Sequence, residues 1–184
     1  MPTQAQDYAN LHIQSQARIH ALADGAAGGA LVVRPAPGAW SAAECVEHLN
    51  RVAEGYLGVI EPAVAADARR AEGPFAYGFV MRKMISGMEG SGPALKTPQA
   101  LNPAAKGGAP DLDPAAALVA FDGYVARYIA ACRRAEGLDL RRIKVRYPFG
   151  PLLRLPLGAA LQLSGLHALR HVAQAERAVA HATG

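Results

Sequence analysis

The final segment of the chain spaces its apolar residues as an α-helix does and sets histidines among them. From Leu157 to Val179, small and apolar side chains recur every three or four residues, which is the period of one helix face. His167 and His171 lie on this face. Residues four apart on a helix differ by only about 40° around its axis, so both imidazoles point into the same part of the core. The segment therefore predicts a long helix with two buried histidines.

An earlier segment carries a third histidine, His48, in the same kind of position. Its apolar stripe consists of Cys45, His48, Leu49, Val52, Tyr56 and Val59. A buried imidazole needs partners for both ring nitrogens, and three neutral imidazoles that face one point can share a divalent metal ion. Three histidines leave a position open for water or a substrate thiolate, as in catalytic sites. The alternative is a set of hydrogen-bonded core histidines without metal.

The overall pattern predicts one helical domain. The chain has 184 residues, 51% of them hydrophobic, and much of that fraction is alanine, which favours helix. We expect an all-α four-helix bundle over residues 1–184, in which the second and fourth helices must be neighbours for the histidines to meet. Its long helices are predicted at about 4–24, 41–70, 114–136 and 156–181.

An irregular insertion, residues 71–112, separates the second and third helices. Within it we predict a short helix at 75–88, followed by a glycine- and proline-rich loop over 90–111. The apolar face of that short helix would carry Phe75, Phe79, Met84 and Met88.

Helix starts are marked by local capping residues. Ser41 and Glu44 form a capping box, and Trp40 can pack on Cys45 as a hydrophobic staple. Asp113 precedes a proline and is a second N-cap. Glu47 is about 100° around the helix from His48, so we do not expect it to be a ligand.

The net charge of +4 indicates mild basicity, concentrated in a strip of Arg141, Arg142, Lys144 and Arg146. The strip matches no nucleic-acid-binding module, so we expect no nucleic acid partner. A solvated face, or a lip that attracts the carboxylates of a small substrate, is the preferred interpretation.

The chain has no run of about 18 apolar residues and no basic, apolar start, so we expect no membrane span, no secretory signal and a cytoplasmic location. Cys45 and Cys132 are predicted to be buried free thiols, although Cys45 could also be a reactive thiol near the metal.

The predicted helices carry further polar and aromatic residues. Gln174 either hydrogen-bonds a ligand histidine or lies at the edge of the stripe. Tyr56 and Tyr128 are expected in the core. The remaining histidines are expected at the surface, namely His12, His20 and His181.

Three motifs resemble the DNA-damage-inducible DinB-like (DinB/YfiT-like) superfamily. Residues 40–49, WSAAECVEHL, fit the pattern W-S-x-x-E-x-x-x-H-L, and residues 167–174, HALRHVAQ, fit H-x-x-x-H-x-x-Q. The turn at 147–150 is similar to a His-Pro turn that often precedes the last helix, with Tyr147 where histidine is common.

The resemblance implies a four-helix fold and a site of His48, His167 and His171 that holds zinc, nickel or another divalent ion. It also implies relatives that use low-molecular-weight thiols as transferases or isomerases, and others described as metal-dependent hydrolases. Homodimers are expected for this family type.

The sequence thus leads to a metal-dependent thiol transferase or hydrolase acting on a small electrophile. A non-catalytic, stress-responsive metal-binding protein is the first alternative. A plain helical interaction protein with hydrogen-bonded histidines is the second.

Overall fold

The structure, a computed structural model, describes residues 3–27, 29–66, 68–89, 98–103, 112–150 and 152–183. Its helices are α1 (Gln4–Gly25), α2 (Ala42–Ala66), α3 (Phe79–Glu89), α4 (Pro114–Ala135) and α5 (Leu157–Thr183). Single 3-10 turns lie at Ala30–Val32 and Gln99–Leu101. A two-stranded antiparallel hairpin joins β1 (Lys144–Arg146) to β2 (Arg154–Pro156).

The four long helices form a closed ring of contacts. Helix α1 packs on α4 and α5, and α2 packs on the same two helices, while the short α3 lies against α5. Each long helix therefore buries its apolar stripe against two neighbours, which is the arrangement expected of a bundle. The predicted all-α class is confirmed, and α2 and α5 are neighbours, as the histidine hypothesis requires.

Capping residues explain where the long helices begin. The Thr3 hydroxyl accepts from the Gln6 amide at 3.2 Å, and Asp113 accepts from the Ala115 amide at 2.9 Å. The Glu44 amide donates to the Ser41 hydroxyl at 3.2 Å, and the Ser41 amide donates to the Glu44 carboxylate at 2.9 Å. Because these bonds satisfy amide groups that a helix leaves unpaired, they fix the predicted starts of α2 and α4.

Helix α2 ends at Ala66, earlier than the predicted end near 70. The following residues pair with the segment after α4 instead. The Asp139 amide donates to the Arg69 carbonyl at 2.9 Å, and the Ala71 amide donates to the Gly137 carbonyl at 3.3 Å. Backbone pairing with a distant segment thus ended a helix that local propensity would have continued.

The short helix runs over Phe79–Glu89, so the predicted range 75–88 began too early. Phe75 lies in extended chain, where the side-chain amide of Gln4 holds its backbone. The Phe75 N–H donates to Oε1 of Gln4 at 2.8 Å, and Nε2 of Gln4 donates to the Phe75 carbonyl at 3.1 Å. Of the predicted apolar residues, Phe75, Met84 and Met88 do pack against the core. Phe79 was wrong, since it is 70% exposed, and the buried positions Met81 and Ile85 were missed.

The predicted irregular insertion is described only in part, since residues 90–97 and 104–111 lie outside the described residues. The basic connection before the last helix contains the β1–β2 hairpin, which the sequence analysis did not predict. Helix α5 accordingly begins at Leu157, one residue after the last residue of β2.

Within the described parts of the chain, α4 alone has the length and apolar composition that could cross a membrane, a test that core helices also pass. It packs on α1 and α2. It also carries Arg127, whose guanidinium donates to Glu61 of α2 at 2.9 Å. Packing inside the bundle buries 33% of its apolar window.

Two helix glycines make a matched test of packing. A Cβ at Gly165 would lie 2.7 Å from Cβ and 2.9 Å from Cδ1 of Leu11, whereas a Cβ at Gly123 would meet nothing within 4 Å. We expect Gly165→Ala to destabilise the protein by about 1–3 kcal/mol through overpacking between α1 and α5. Gly123→Ala should stabilise it by about 0.5–1 kcal/mol. Urea unfolding measures both, and equal stability of the two variants would contradict this close approach.

Candidate metal centre

Three histidines from two neighbouring helices meet at one point. His48 comes from α2, and His167 and His171 come from α5; each offers one ring nitrogen, and these atoms lie within 4.8 Å of one another. The Nε2 atoms of His48 and His167 are 3.5 Å apart. Two nitrogens on a tetrahedral zinc are about 3.3 Å apart, since zinc–nitrogen bonds are about 2.0–2.1 Å long. The group could therefore hold a divalent metal ion.

Two of the histidines have their other nitrogen fixed by an acceptor. Nδ1 of His48 donates to the Leu101 carbonyl at 2.8 Å, and Nδ1 of His171 donates to Oε1 of Gln174 at 3.0 Å. An imidazole that keeps its hydrogen on Nδ1 presents the Nε2 lone pair to a metal. Gln174 was expected either to hydrogen-bond a ligand histidine or to lie at the edge of the stripe, and in the structure it makes the hydrogen bond, to His171.

Burial keeps these imidazoles neutral. It lowers the pKa of His171 to about 3 and that of His167 well below its ordinary value, and it lowers the pKa of His48 as well. The neighbouring cluster histidines lower the pKa of His167 and of His171 further, and Arg170 adds a smaller effect. Arg51 adds to the lowering of the pKa of His48. Neutral imidazole is the form that binds metal, so no proton competes for these nitrogens near pH 7.

Trp40 forms an aromatic wall over the cluster. Its ring lies 4.8 Å from that of His48 and 5.8 Å from that of His171, stacked at 28° on the latter. The sequence predicted that Trp40 packs on Cys45. The side chain does pack against the buried cluster that includes Cys45, and its ring also shields one side of the imidazoles.

The turn Gln99–Leu101 lies against the site, a contact that the sequence did not reveal. Besides the Leu101 carbonyl on His48, the Asn102 carbonyl accepts from Arg51 at 3.1 Å. Arg51 is in turn held by Glu47 at 2.8 Å. Glu47 therefore anchors this turn, and like the sequence prediction the structure leaves it outside the ligand set. Backbone carbonyls have no sequence signature, so no pattern could have indicated them.

The predicted basic strip lies away from the histidines. Arg141, Arg142, Lys144 and Arg146 are exposed, and Lys144 pairs with Pro156 just before α5 begins. His167 is about 15 Å further along that helix, at 1.5 Å rise per residue. The structure therefore does not bring the strip to the cluster, and the cations that influence the cluster are Arg51 and Arg170.

The prediction that His12 lies at the surface was wrong. His12 is 1% exposed, and its ring stacks on Tyr128 with 4.0 Å between centroids. The signal was present in the sequence, because Tyr8, His12, Ser15 and Ile19 share one helical stripe. His20 pairs with Asp122, and His181 is exposed.

The other core predictions agree with the structure. Tyr56 and Tyr128 are buried, and both cysteines are buried free thiols. Burial raises the pKa of Cys45 and that of Cys132 to about 12 each. A thiol with so high a pKa carries almost no thiolate near neutral pH, which disfavours the reactive role considered for Cys45.

Acidification is expected to destabilise the metal-free protein through His12. Burial lowers its pKa to about 3, against about 6.5 in an unfolded chain. Between these values the unfolded chain binds the extra proton, so stability is complete above pH 6.5 and falls as the pH drops below it. At pH 5 the loss is about 2 kcal/mol.

His12→Phe keeps an aromatic ring beside Tyr128 and removes the titrating group. Between roughly pH 7.5 and 5, this variant should lose about 2 kcal/mol less stability than the wild type in urea unfolding. Equal losses would show that His12 titrates normally in the folded protein.

The fold and site together define an all-α protein with a partly exposed three-histidine group between two facing helices. The family profile of the DinB superfamily matches residues 12–175, a range that includes all three histidines. The chain belongs to the DinB superfamily. Searches of curated proteins and of solved structures gave no match.

Proposed function

We propose that this protein is a divalent-metal-dependent enzyme whose ion, zinc or nickel, is held by His48, His167 and His171. The observation that carries the proposal is the convergence of their ring nitrogens within 4.8 Å. Leu101 and Gln174 support it, because acceptors on Nδ1 orient the rings for coordination through Nε2.

The proposed reaction is thiol transfer or hydrolysis on a small electrophile. A bound divalent ion with an open position lowers the pKa of a water or thiol placed there and so favours the deprotonated nucleophile. Trp40 shields one side of the group, while His167 and His171 remain partly exposed. A small molecule could thus approach from the exposed side.

A low-molecular-weight thiol that carries carboxylates fits the local charge. Arg170 acts on His167 and His171 as a positive neighbour, and positive potential attracts anions. We also propose a cytoplasmic location, where thiols of this kind stay reduced. We also propose that the protein is a homodimer, and sedimentation analysis would measure its oligomeric state.

The test starts with metal analysis of protein purified without an affinity tag, because such tags bind the same ions. We expect one divalent ion per chain, removable by a chelator. The loaded protein is then assayed on a panel of small electrophiles with and without added thiols. Thiol-dependent turnover supports the transferase, and turnover without thiol supports the hydrolase. A tightly held ion with no turnover favours the non-catalytic alternative, and the absence of any bound ion would overturn the proposal.

A further inference from the structure

Among the three cluster histidines, only His167 has a second ring nitrogen with no hydrogen-bond partner in the described part of the chain. Its Nδ1 is buried and unpaired, whereas Leu101 and Gln174 serve the other two histidines. A histidine that ligates through Nε2 carries its hydrogen on Nδ1, and a buried unpaired donor costs about 1–3 kcal/mol. The site therefore needs a third acceptor.

A small cavity borders His167 on the interior of the bundle. Its volume is about 20 Å³, and its wall is mostly apolar; the lining residues with polar side-chain atoms are His12, Tyr124, Tyr128, Ser164 and His167. One water needs about 10–15 Å³ and two to four polar partners. The volume suffices for a single water and is too small for a larger ligand. Such a water would take its partners from the few polar groups of the wall.

Ser164 and His12 supply the partners that such a water would need. Ser164 lies one helical turn before His167, and its hydroxyl donates to the Leu161 carbonyl at 2.9 Å. Since that bond uses its only hydrogen, the Ser164 oxygen keeps lone pairs to accept others. Nε2 of His12 is 3.3 Å from this oxygen, and Tyr128 hydrogen-bonds the same serine, so three polar groups converge at the wall of the cavity.

We propose that this cavity holds one water that accepts a hydrogen bond from Nδ1 of His167 and donates to Ser164, with His12 closing the network. Ser164 and His12 are then positioning residues, which act on the metal centre only through His167. This inference rests on the proposed function, because it assigns His167 as a ligand. The water would supply an acceptor for Nδ1 of His167, as Leu101 and Gln174 do for Nδ1 of His48 and His171.

Ser164→Ala tests the network, and Ser15→Ala is its matched control. Both serines are buried and donate to the carbonyl three residues earlier, Ser15 to His12 at 2.8 Å. Ser15 does not line the cavity. Each variant loses the same kind of backbone hydrogen bond, but only Ser164→Ala should weaken metal binding.

Competition titration with zinc measures the effect. Ser164→Ala should raise the zinc dissociation constant by about 10–100-fold, the usual cost of losing a group that orients a ligand. Ser15→Ala should leave it unchanged. In urea unfolding of the metal-free variants, Ser164→Ala should lose more stability than Ser15→Ala, because it also removes the partner of Nε2 of His12. Equal zinc affinity in the wild type and Ser164→Ala would overturn the positioning role.

Nitrogen NMR of the metal-free protein supplies a second readout. We expect a hydrogen on Nδ1 of His167 that exchanges slowly with solvent and shows a cross-relaxation signal to a bound water, and faster exchange in Ser164→Ala. Absence of that water contact would overturn the inference even if zinc binds. If the wild type binds no divalent ion, the proposed function fails, and the NMR signal alone decides whether the water site exists.

Discussion

His171→Ala is expected to abolish metal binding and any activity while the helical content stays near that of the wild type. The change removes one of three converging nitrogens, and we expect affinity to fall by more than the roughly 100-fold that losing a supporting residue can cost. His171 is neutral, with its pKa lowered to about 3 by burial, and it is partly exposed. Its removal therefore breaks no ion pair and leaves no closed cavity. Metal titration and circular dichroism measure the two effects separately.

Two variants on the same helix provide the controls. His181 is exposed near the end of α5, so His181→Ala should leave the affinity unchanged. Gln174→Ala removes only the acceptor on Nδ1 of His171, and we expect an intermediate loss of about 10–100-fold. Unfolding of His171→Ala would indicate a structural metal, and wild-type affinity in that variant would refute the three-histidine site.

The sequence predicted the helix starts and the histidine faces because both depend on local chemistry. Ser41 and Asp113 cap helices through bonds to residues two or three positions away. The register of α2 and α5 then follows from helical periodicity, and it brings His48 onto the face that meets His171.

Contacts between distant segments explain what the sequence could not predict. The end of α2 was misplaced because the residues after Ala66 pair with the segment around Gly137. The Leu101 carbonyl on His48 was missed because any residue type supplies that acceptor. His12 was misassigned for another reason: it was treated as a residue without partners, although it shares one helical stripe with Tyr8, Ser15 and Ile19.

The ion pair between Arg34 and Glu44 joins a residue that the sequence identified to one that it did not indicate. The sequence identified Glu44 as a capping residue, and its carboxylate does accept from the Ser41 amide at 2.9 Å. It did not indicate Arg34, which lies ten residues earlier and forms a two-pronged pair with the same carboxylate, Nε donating at 2.9 Å. Glu44 is fully buried, whereas the Arg34 side chain is 33% exposed. The Glu44 carboxylate is thus desolvated, and its charge is stabilised by the Arg34 guanidinium.

Arg34→Ala is expected to destabilise the protein by about 3 kcal/mol at neutral pH, the lower end of the cost of breaking a buried pair, because Arg34 itself is partly in water. Burial alone would raise the pKa of Glu44, but the bonds from Arg34 and Ser41 outweigh it and lower that pKa. A carboxylate with a lowered pKa stabilises the fold above its unfolded pKa, and this contribution is lost as the pH falls. The deficit of Arg34→Ala relative to wild type should therefore shrink as the pH falls below about 4.3, the unfolded pKa of a glutamate.

Arg18→Ala is the matched control, since Arg18 and Glu176 also pair but are 42% and 38% exposed. Removing an exposed pair costs at most about 1 kcal/mol. Urea unfolding of both variants at several pH values gives the comparison, and equal deficits would mean that Glu44 is not desolvated. Glu44 precedes His48 by about one turn of α2, so loss of Arg34 should also loosen the start of that helix. We accordingly expect Arg34→Ala, and not Arg18→Ala, to weaken metal binding together with stability.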